Sequence, residues 1–156
     1  MTQPLHLGLL GAMQEEIGSG LSHLKDLSCS NHGDLTIHRG SWTDSVRLSL
    51  ALSGWGKVSA ARAATRLLAG DPSIDLLLFT GVAGAADQAL RQWDVLLADA
   101  VVQHDMDARP LFPQFTLPAL KQDRLQPLPA WLDWAKTALL EACLLYTSDA
   151  PTTPYV

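Results

Sequence analysis

A short apolar run, Ile74-Asp75-Leu76-Leu77-Leu78-Phe79, leads directly into a loop of small residues, Thr80-Gly81-Val82-Ala83-Gly84. This run is the strongest strand signal in the chain. A second run, Leu5-His6-Leu7-Gly8-Leu9-Leu10, is nearly continuous in apolar character and is closed by Gly11-Ala12. Such runs are typical of strands in a sheet that is covered on both faces. The sequence therefore predicts buried strands, each followed by a small-residue loop at its carboxyl end.

The remaining elements predicted along the chain alternate between strand and helix. Alternating apolar residues predict the strands Leu35–Arg39 and Val46–Leu52, and a further strand is expected over Val95–Val102. Helical spacing predicts three helices: one from Gln14 that buries Ile17, Leu21 and Leu24, one that ends at Gly70 and buries Val58, Ala61, Ala64, Thr65 and Leu68, and one from Pro129 to Glu141. The predicted fold class is α/β, with a central twisted sheet flanked by helices.

Composition and charge exclude several classes of protein. The chain has 156 residues, the length of one domain, and 11 Lys and Arg against 16 Asp and Glu leave a net charge of −5. This balance argues against nucleic acid or an anionic membrane as a partner. Two cysteines give neither a disulfide framework nor a zinc site. No basic leader segment and no apolar run of about 20 residues is present, so we expect a cytoplasmic protein.

Three motifs follow predicted elements at positions where α/β sheets bind ligands, outside the carboxyl ends of the strands. They are Gly11-Ala12-Met13-Gln14-Glu15-Glu16, Ser53-Gly54-Trp55-Gly56-Lys57 and Thr80-Gly81-Val82-Ala83-Gly84. Small-residue loops let the backbone approach a ligand, a glutamate can act as a general base, and Trp55 can stack on a planar group. Each motif also has a purely structural interpretation, because acidic residues favour the first turn of a helix and glycines favour turns. His104, Asp105 and Asp107 lack a supporting second cluster, so no metal is predicted.

In their order and spacing, these motifs and His104-Asp105-Met106-Asp107 together resemble the bacterial 5′-methylthioadenosine/S-adenosylhomocysteine nucleosidases over nearly all of residues 5–118. The resemblance implies the nucleoside phosphorylase type of α/β fold, a homodimer, and hydrolysis of the N-glycosidic bond with release of adenine. It implies no cofactor. It also implies that Glu16 is the base that activates water for attack on the anomeric carbon of the ribose, as in inverting glycoside hydrolysis.

The resemblance implies further contacts with the nucleoside. Ala12 and Met13 match neighbours of the sugar, and Val82, Ala83 and Gly84 match the loop that lines the purine and the ribose. Trp55 stands where the family usually has an aliphatic residue near the base, and Val82 stands where several members have serine. The segment Ala108–Pro113 matches a loop that reaches into the neighbouring subunit, which points to Ala108, Leu111 and Phe112.

The family also has a later segment that holds the ribose hydroxyls and supplies an aspartate that protonates adenine, and no residue after His104 matches that acid. We therefore expect residues 1–142 to be the N-terminal part of a nucleoside phosphorylase-type domain, incomplete at its C-terminus and inactive alone. Residues 143–156 are expected to be a disordered or artefactual tail, since Cys143–Ala150 resembles a translated sequencing adapter.

Two alternatives remain open at the level of sequence. A purine nucleoside phosphorylase of the same fold would need cationic groups to bind phosphate, whereas Gln14-Glu15-Glu16 would repel it. A non-catalytic nucleoside-binding fragment would retain binding without turnover.

Overall fold

The computed structural model describes residues 3–142, and the chain divides into two compact units, Met1–Val82 and Ala83–Val156. The first unit is α/β, which confirms the predicted class. Its strands are β1 (Leu5–Gly11), β2 (Lys25–His32), β3 (Leu35–Thr43), β4 (Val46–Leu52) and β5 (Leu76–Phe79), and its helices are α1 (Gln14–Ile17) and α2 (Lys57–Gly70).

The five strands form one mixed sheet in the order β2-β3-β4-β1-β5. Strand β1 runs parallel to both β4 and β5, and Leu9 pairs with Leu50 on one side and Leu78 on the other. Strands β2, β3 and β4 form an antiparallel meander, in which β3 and β4 are the two strands that the alternating pattern predicted. The carboxyl ends of β1, β4 and β5 therefore meet at one edge of the sheet, where ligands bind in α/β proteins.

Apolar side chains cover both faces of this sheet, as the continuous runs predicted. On one face Leu10, Ile37 and Leu67 belong to a buried cluster, and on the other Leu48 and Leu50 form a second cluster. Successive strand residues point to opposite faces, so adjacent leucines such as Leu9 and Leu10 serve different clusters.

The helix predicted from Gln14 to Leu24 is wrong in extent. Helix α1 has four residues and ends at Ile17, because the φ of 57° and ψ of −130° at the following Gly18 are outside helical values. A single 3₁₀ turn follows, and then β2, which the sequence did not predict. Ile17, Leu21 and Leu24 nevertheless pack against the cluster of Leu48 and Leu50, so the apolar spacing indicated burial correctly and conformation wrongly.

The position of α2 is confirmed. Its predicted buried face is wrong except at Ala64, which is partly buried and packs against the core. Ala63 and Leu67 are fully buried, whereas Val58 is 84% exposed and Leu68 is 41% exposed. The helix itself has small apolar residues on more than one side, so its sequence forms two apolar stripes. Packing selects the stripe of Ala63 and Leu67, because Leu67 lies directly over Gly8 of β1.

A buried polar cluster fixes β5 against β1 at the opposite end of the sheet. The His6 side chain contacts the hydroxyl of Ser49 through Nε2 at 2.8 Å and that of Ser73 through Nδ1 at 2.9 Å. The backbone N–H of His6 donates to Asp75, and the N–H of Asp75 donates to the carbonyl of His6. Burial lowers the pKa of His6, although the carboxylate of Asp71 opposes this shift.

The second unit contains helix α3 (Pro129–Glu141), which confirms the last predicted helix. The strand predicted over Val95–Val102 is wrong: these residues are all described, and Val95 and Val101 take part only in isolated bridges, that of Val101 being with Leu125. Leu96 is 59% exposed. An apolar pattern alone does not make a strand, because a strand also needs a neighbouring ladder with which to pair.

Within residues 3–142, no helix combines the length and the apolar character that crossing a membrane requires. The predicted tail, residues 143–156, lies outside the described residues. The predicted domain boundary at residue 142 therefore stays a prediction.

Candidate active site

The side chain of Glu16 lies at the carboxyl edge of the sheet and accepts three backbone hydrogen bonds. The N–H groups of Ala12 and Met13 donate to Oε2, at 2.7 Å and 3.1 Å. The N–H of Val82 donates to Oε1 at 3.2 Å from a point 66 residues further along the chain. The loops after β1 and β5 are thereby joined by one carboxylate.

These hydrogen bonds set the protonation state of Glu16. Partial burial alone would raise the pKa of this carboxyl group, but the N–H donors of Ala12, Val82 and Met13 outweigh burial and lower the pKa below its ordinary value of 4.5. Glu16 is therefore ionised near neutral pH, and its carboxylate can accept a proton.

Backbone pairing continues beyond the strands and positions the loops around Glu16. The N–H of Ser53 donates to the carbonyl of Gly11 at 2.8 Å, and the N–H of Gly54 donates to the carbonyl of Ala12 at 3.1 Å. On the other side, the N–H of Thr80 donates to the carbonyl of Leu10 at 2.9 Å. The sequence predicted that each small-residue motif follows a strand, and the strand order shows that the three strands concerned, β4, β1 and β5, are adjacent.

Glu16 also has a structural role in the first turn of α1. It is the third residue of that helix, and its carboxylate accepts from the N–H of Met13, the residue that precedes the helix. This is the reciprocal half of a capping box. The bond to Val82 is not part of any cap, because it comes from the loop after β5. A cap alone therefore does not account for the geometry.

Of the residues predicted to contact the nucleoside, the first unit brings Ala12, Met13 and Val82 together around Glu16. All three use backbone N–H groups, and the side chain of Val82 is 81% exposed. Trp55 is 77% exposed in the neighbouring loop, between Gly54 and Gly56, whose φ values of 74° and 95° favour glycine.

The other predicted contact residues belong to the second unit. Ala83 and Gly84 are exposed, and a side chain at Gly84 would meet no atom within 4 Å. The carbonyl of Ala108 accepts from the N–H groups of Leu111 and Phe112, so these three residues share one turn. Leu111 is 84% exposed. The role of all five in binding stays a prediction.

An ion pair lies at the start of this turn. Arg109 donates side-chain and backbone hydrogen bonds to the carboxylate of Asp107 and lowers the pKa of Asp107 to about 2. Nδ1 of His104 lies 3.9 Å from Oδ1 of Asp105, and both side chains are largely exposed. Within residues 3–142, no three His, Cys, Asp or Glu side chains are grouped so that they could hold a metal ion.

Sequence reasoning overlooked the individual role of Gly81. A Cβ atom at this position would lie 2.9 Å from Oε1 of Glu16. The available signal was a glycine two residues after the predicted strand Ile74–Phe79, since a glycine lets the backbone come close to another group. Nothing in the sequence identified Glu16 as that group.

The ionised carboxylate of Glu16 thus lies at the carboxyl edge of the parallel strands, the position at which α/β proteins bind small ligands. The family model of the phosphorylase superfamily matches residues 6–152. The chain belongs to this superfamily.

Individual relatives agree with this assignment. The chain is 39% identical over 102 residues to a 5′-methylthioadenosine/S-adenosylhomocysteine nucleosidase of Staphylococcus carnosus. The aligned segment covers 65% of this chain and 44% of that protein. The structure of the corresponding nucleosidase from Colwellia psychrerythraea, in complex with adenine, matches with a TM-score of 0.82 and 28% identity over 90% of this chain and 57% of that one. Futalosine hydrolase of Helicobacter pylori matches with a TM-score of 0.80 and 27% identity, over 90% and 60% of the two chains.

These matches confirm the predicted nucleoside phosphorylase-type fold. The chain spans less than two thirds of the length of each of these relatives.

Proposed function

We propose that this chain forms part of a nucleosidase that hydrolyses the N-glycosidic bond of 5′-methylthioadenosine and S-adenosylhomocysteine and releases adenine. The observation that carries the proposal is the Glu16 carboxylate, ionised and fixed at the carboxyl edge of β1 by three backbone donors. A fixed carboxylate can orient a water molecule and take its proton as the water attacks the anomeric carbon.

The residues around Glu16 favour water over phosphate as the nucleophile. The loop and helix over Gly11–Ile17 contribute the carboxylates of Glu15 and Glu16 and contain no Lys or Arg. Two adjacent negative charges oppose the approach of phosphate, which phosphorylases bind through cationic groups. Hydrolysis is therefore favoured over phosphorolysis.

The class of substrate follows from the relatives. Several relatives are nucleosidases for methylthioadenosine and adenosylhomocysteine, and the structure of one of them is a complex with adenine. Futalosine hydrolase, a match of similar quality, makes futalosine the second candidate substrate. We further propose a cytoplasmic homodimer in which Ala108, Leu111 and Phe112 contact the neighbouring subunit, and in which Trp55, Ala83 and Gly84 contact the nucleoside.

The decisive test is Glu16→Gln in the protein expressed from its complete reading frame. Glutamine has nearly the same shape but cannot take up a proton at neutral pH, so turnover should fall by about 10²–10⁴-fold while the affinity for an adenosine analogue changes little. Release of the free purine base from methylthioadenosine, adenosylhomocysteine and futalosine is followed optically or by chromatography.

Glu15→Gln is the matched control, because Glu15 is adjacent and exposed. It should keep turnover close to that of the parent. If Glu16→Gln stays within tenfold of the parent, Glu16 is not the base. If the parent binds adenosine analogues but releases no base from any of the three nucleosides, the protein is a binding module.

A further inference from the structure

Gly81 lies where the chain leaves the sheet beside the Glu16 carboxylate. Thr80 still pairs with β1, and Val82 donates its N–H to Oε1 of Glu16 at 3.2 Å. A Cβ atom on Gly81 would lie 2.9 Å from Oε1 and 3.2 Å from Cδ of Glu16. The φ of Gly81 is outside the left-handed region, so an alanine could adopt this backbone conformation.

We propose that Gly81 is a positioning residue for Glu16: the missing side chain lets the carboxylate come close enough to bond the N–H of Val82. The inference rests on the function proposed above. The strand backbones are fixed by pairing from Leu7–Leu76 to Leu10–Phe79, whereas the carboxylate is the end of a flexible side chain. A methyl group at Gly81 would therefore displace the carboxylate and leave the sheet unchanged.

The other glycines near the site do not have this property. A Cβ on Gly11 would lie 3.0 Å from Cδ1 of Ile17 and 3.6 Å from Oε2 of Glu16, so it would disturb core packing first. Gly54 and Gly56 need positive φ values. Among the glycines near the site, Gly81 is thus the one at which an added methyl group would meet the carboxylate before it disturbs core packing.

Gly81→Ala in the protein from the complete reading frame tests the inference. A general base displaced by a fraction of an ångström should lower kcat by about 10–10²-fold and leave KM within about threefold. Because the bond from Val82 is weakened, the pKa of Glu16 should rise, and the acidic limb of the kcat profile should move to higher pH. Gly70→Ala, at the end of α2 and 4.0 Å from its nearest neighbour, is the matched control and should change neither quantity.

A stability cycle tests the contact without using activity. Gly81→Ala should lower Tm by about 2–4 °C in the parent but hardly at all in a Glu16→Ala background, where no carboxylate is present to collide with the methyl group. Equal effects in the two backgrounds, or an unchanged kcat and acidic limb, would overturn the inference. Full turnover in Glu16→Gln together with an intact stability coupling would instead overturn the proposed function and keep Gly81 beside Glu16.

Discussion

At the scale of single residues, the properties of Glu16 arise from backbone groups. Three N–H donors stabilise its charged form, and one of them, Val82, is distant in sequence. The sequence could nominate Glu16 because two glutamates follow a small-residue loop. It could not predict the hydrogen bonds, because these depend on β5 lying next to β1 in parallel register. Gly81 was overlooked for the same reason.

The lowered pKa of Glu16 predicts an acid dependence of stability. The folded-state pKa is below the ordinary value of 4.5, so the contribution of Glu16 is fully present above that pH and is lost as the pH falls through the folded-state pKa. Glu16→Gln should therefore lose less stability than the parent as the pH falls from above 4.5 through the folded-state pKa of Glu16. Urea unfolding at a series of pH values measures the difference.

The control for this series is again Glu15→Gln, which should keep the slope of the parent. Asp34, Asp71 and Asp107 also have lowered pKa values and contribute equally to all three proteins. Identical slopes for Glu16→Gln and the parent would show that the three N–H groups do not stabilise the charged carboxylate.

At the scale of elements, the sequence predicted which segments are buried better than it predicted their conformation. The runs that form β1, β4 and β5 are apolar, and each of them has a neighbouring strand with which it pairs. The segment after α1 has the same apolar spacing as a helix, but Gly18 ends the helix after one turn. Strand β2 is mostly exposed, so it has no alternating burial that could indicate a strand.

Helix α2 provides a direct test of packing. Leu67 is fully buried against β1, and its neighbour Leu68 is 41% exposed. The two leucines therefore differ chiefly in their surroundings. Leu67→Ala should lower the free energy of unfolding by about 2–5 kcal/mol because it leaves a cavity. Leu68→Ala should lower it by about 0.5 kcal/mol or less, the usual effect of a surface substitution.

Urea unfolding of both variants in the protein from the complete reading frame gives these values. If Leu68→Ala instead lowered the free energy of unfolding more than Leu67→Ala, the buried face of α2 would be the one that the apolar spacing indicated.

At the scale of the whole molecule, one edge of the sheet has features that prevent pairing with another chain, and the other edge lacks them. The β2 edge is exposed, carries Lys25 and Asp26, and has an irregular register between Lys25 and Ser28, features that protect natural edge strands. The β5 edge consists of Leu76-Leu77-Leu78-Phe79, and within the described residues its strand neighbour in the sheet is β1. Phe79 is 63% exposed.

An apolar edge strand without charge or irregularity is a site of edge-to-edge association. We therefore expect the 156-residue polypeptide to form species larger than a dimer as its concentration rises. Phe79→Lys should raise the concentration at which these species form by about tenfold, equivalent to about 1.4 kcal/mol. Leu27→Lys, a similar change on the opposite edge strand, should have little effect because β2 is already protected. Sedimentation velocity over a concentration series distinguishes the variants, and equal association of all three proteins would show that the β5 edge is not the surface through which they associate.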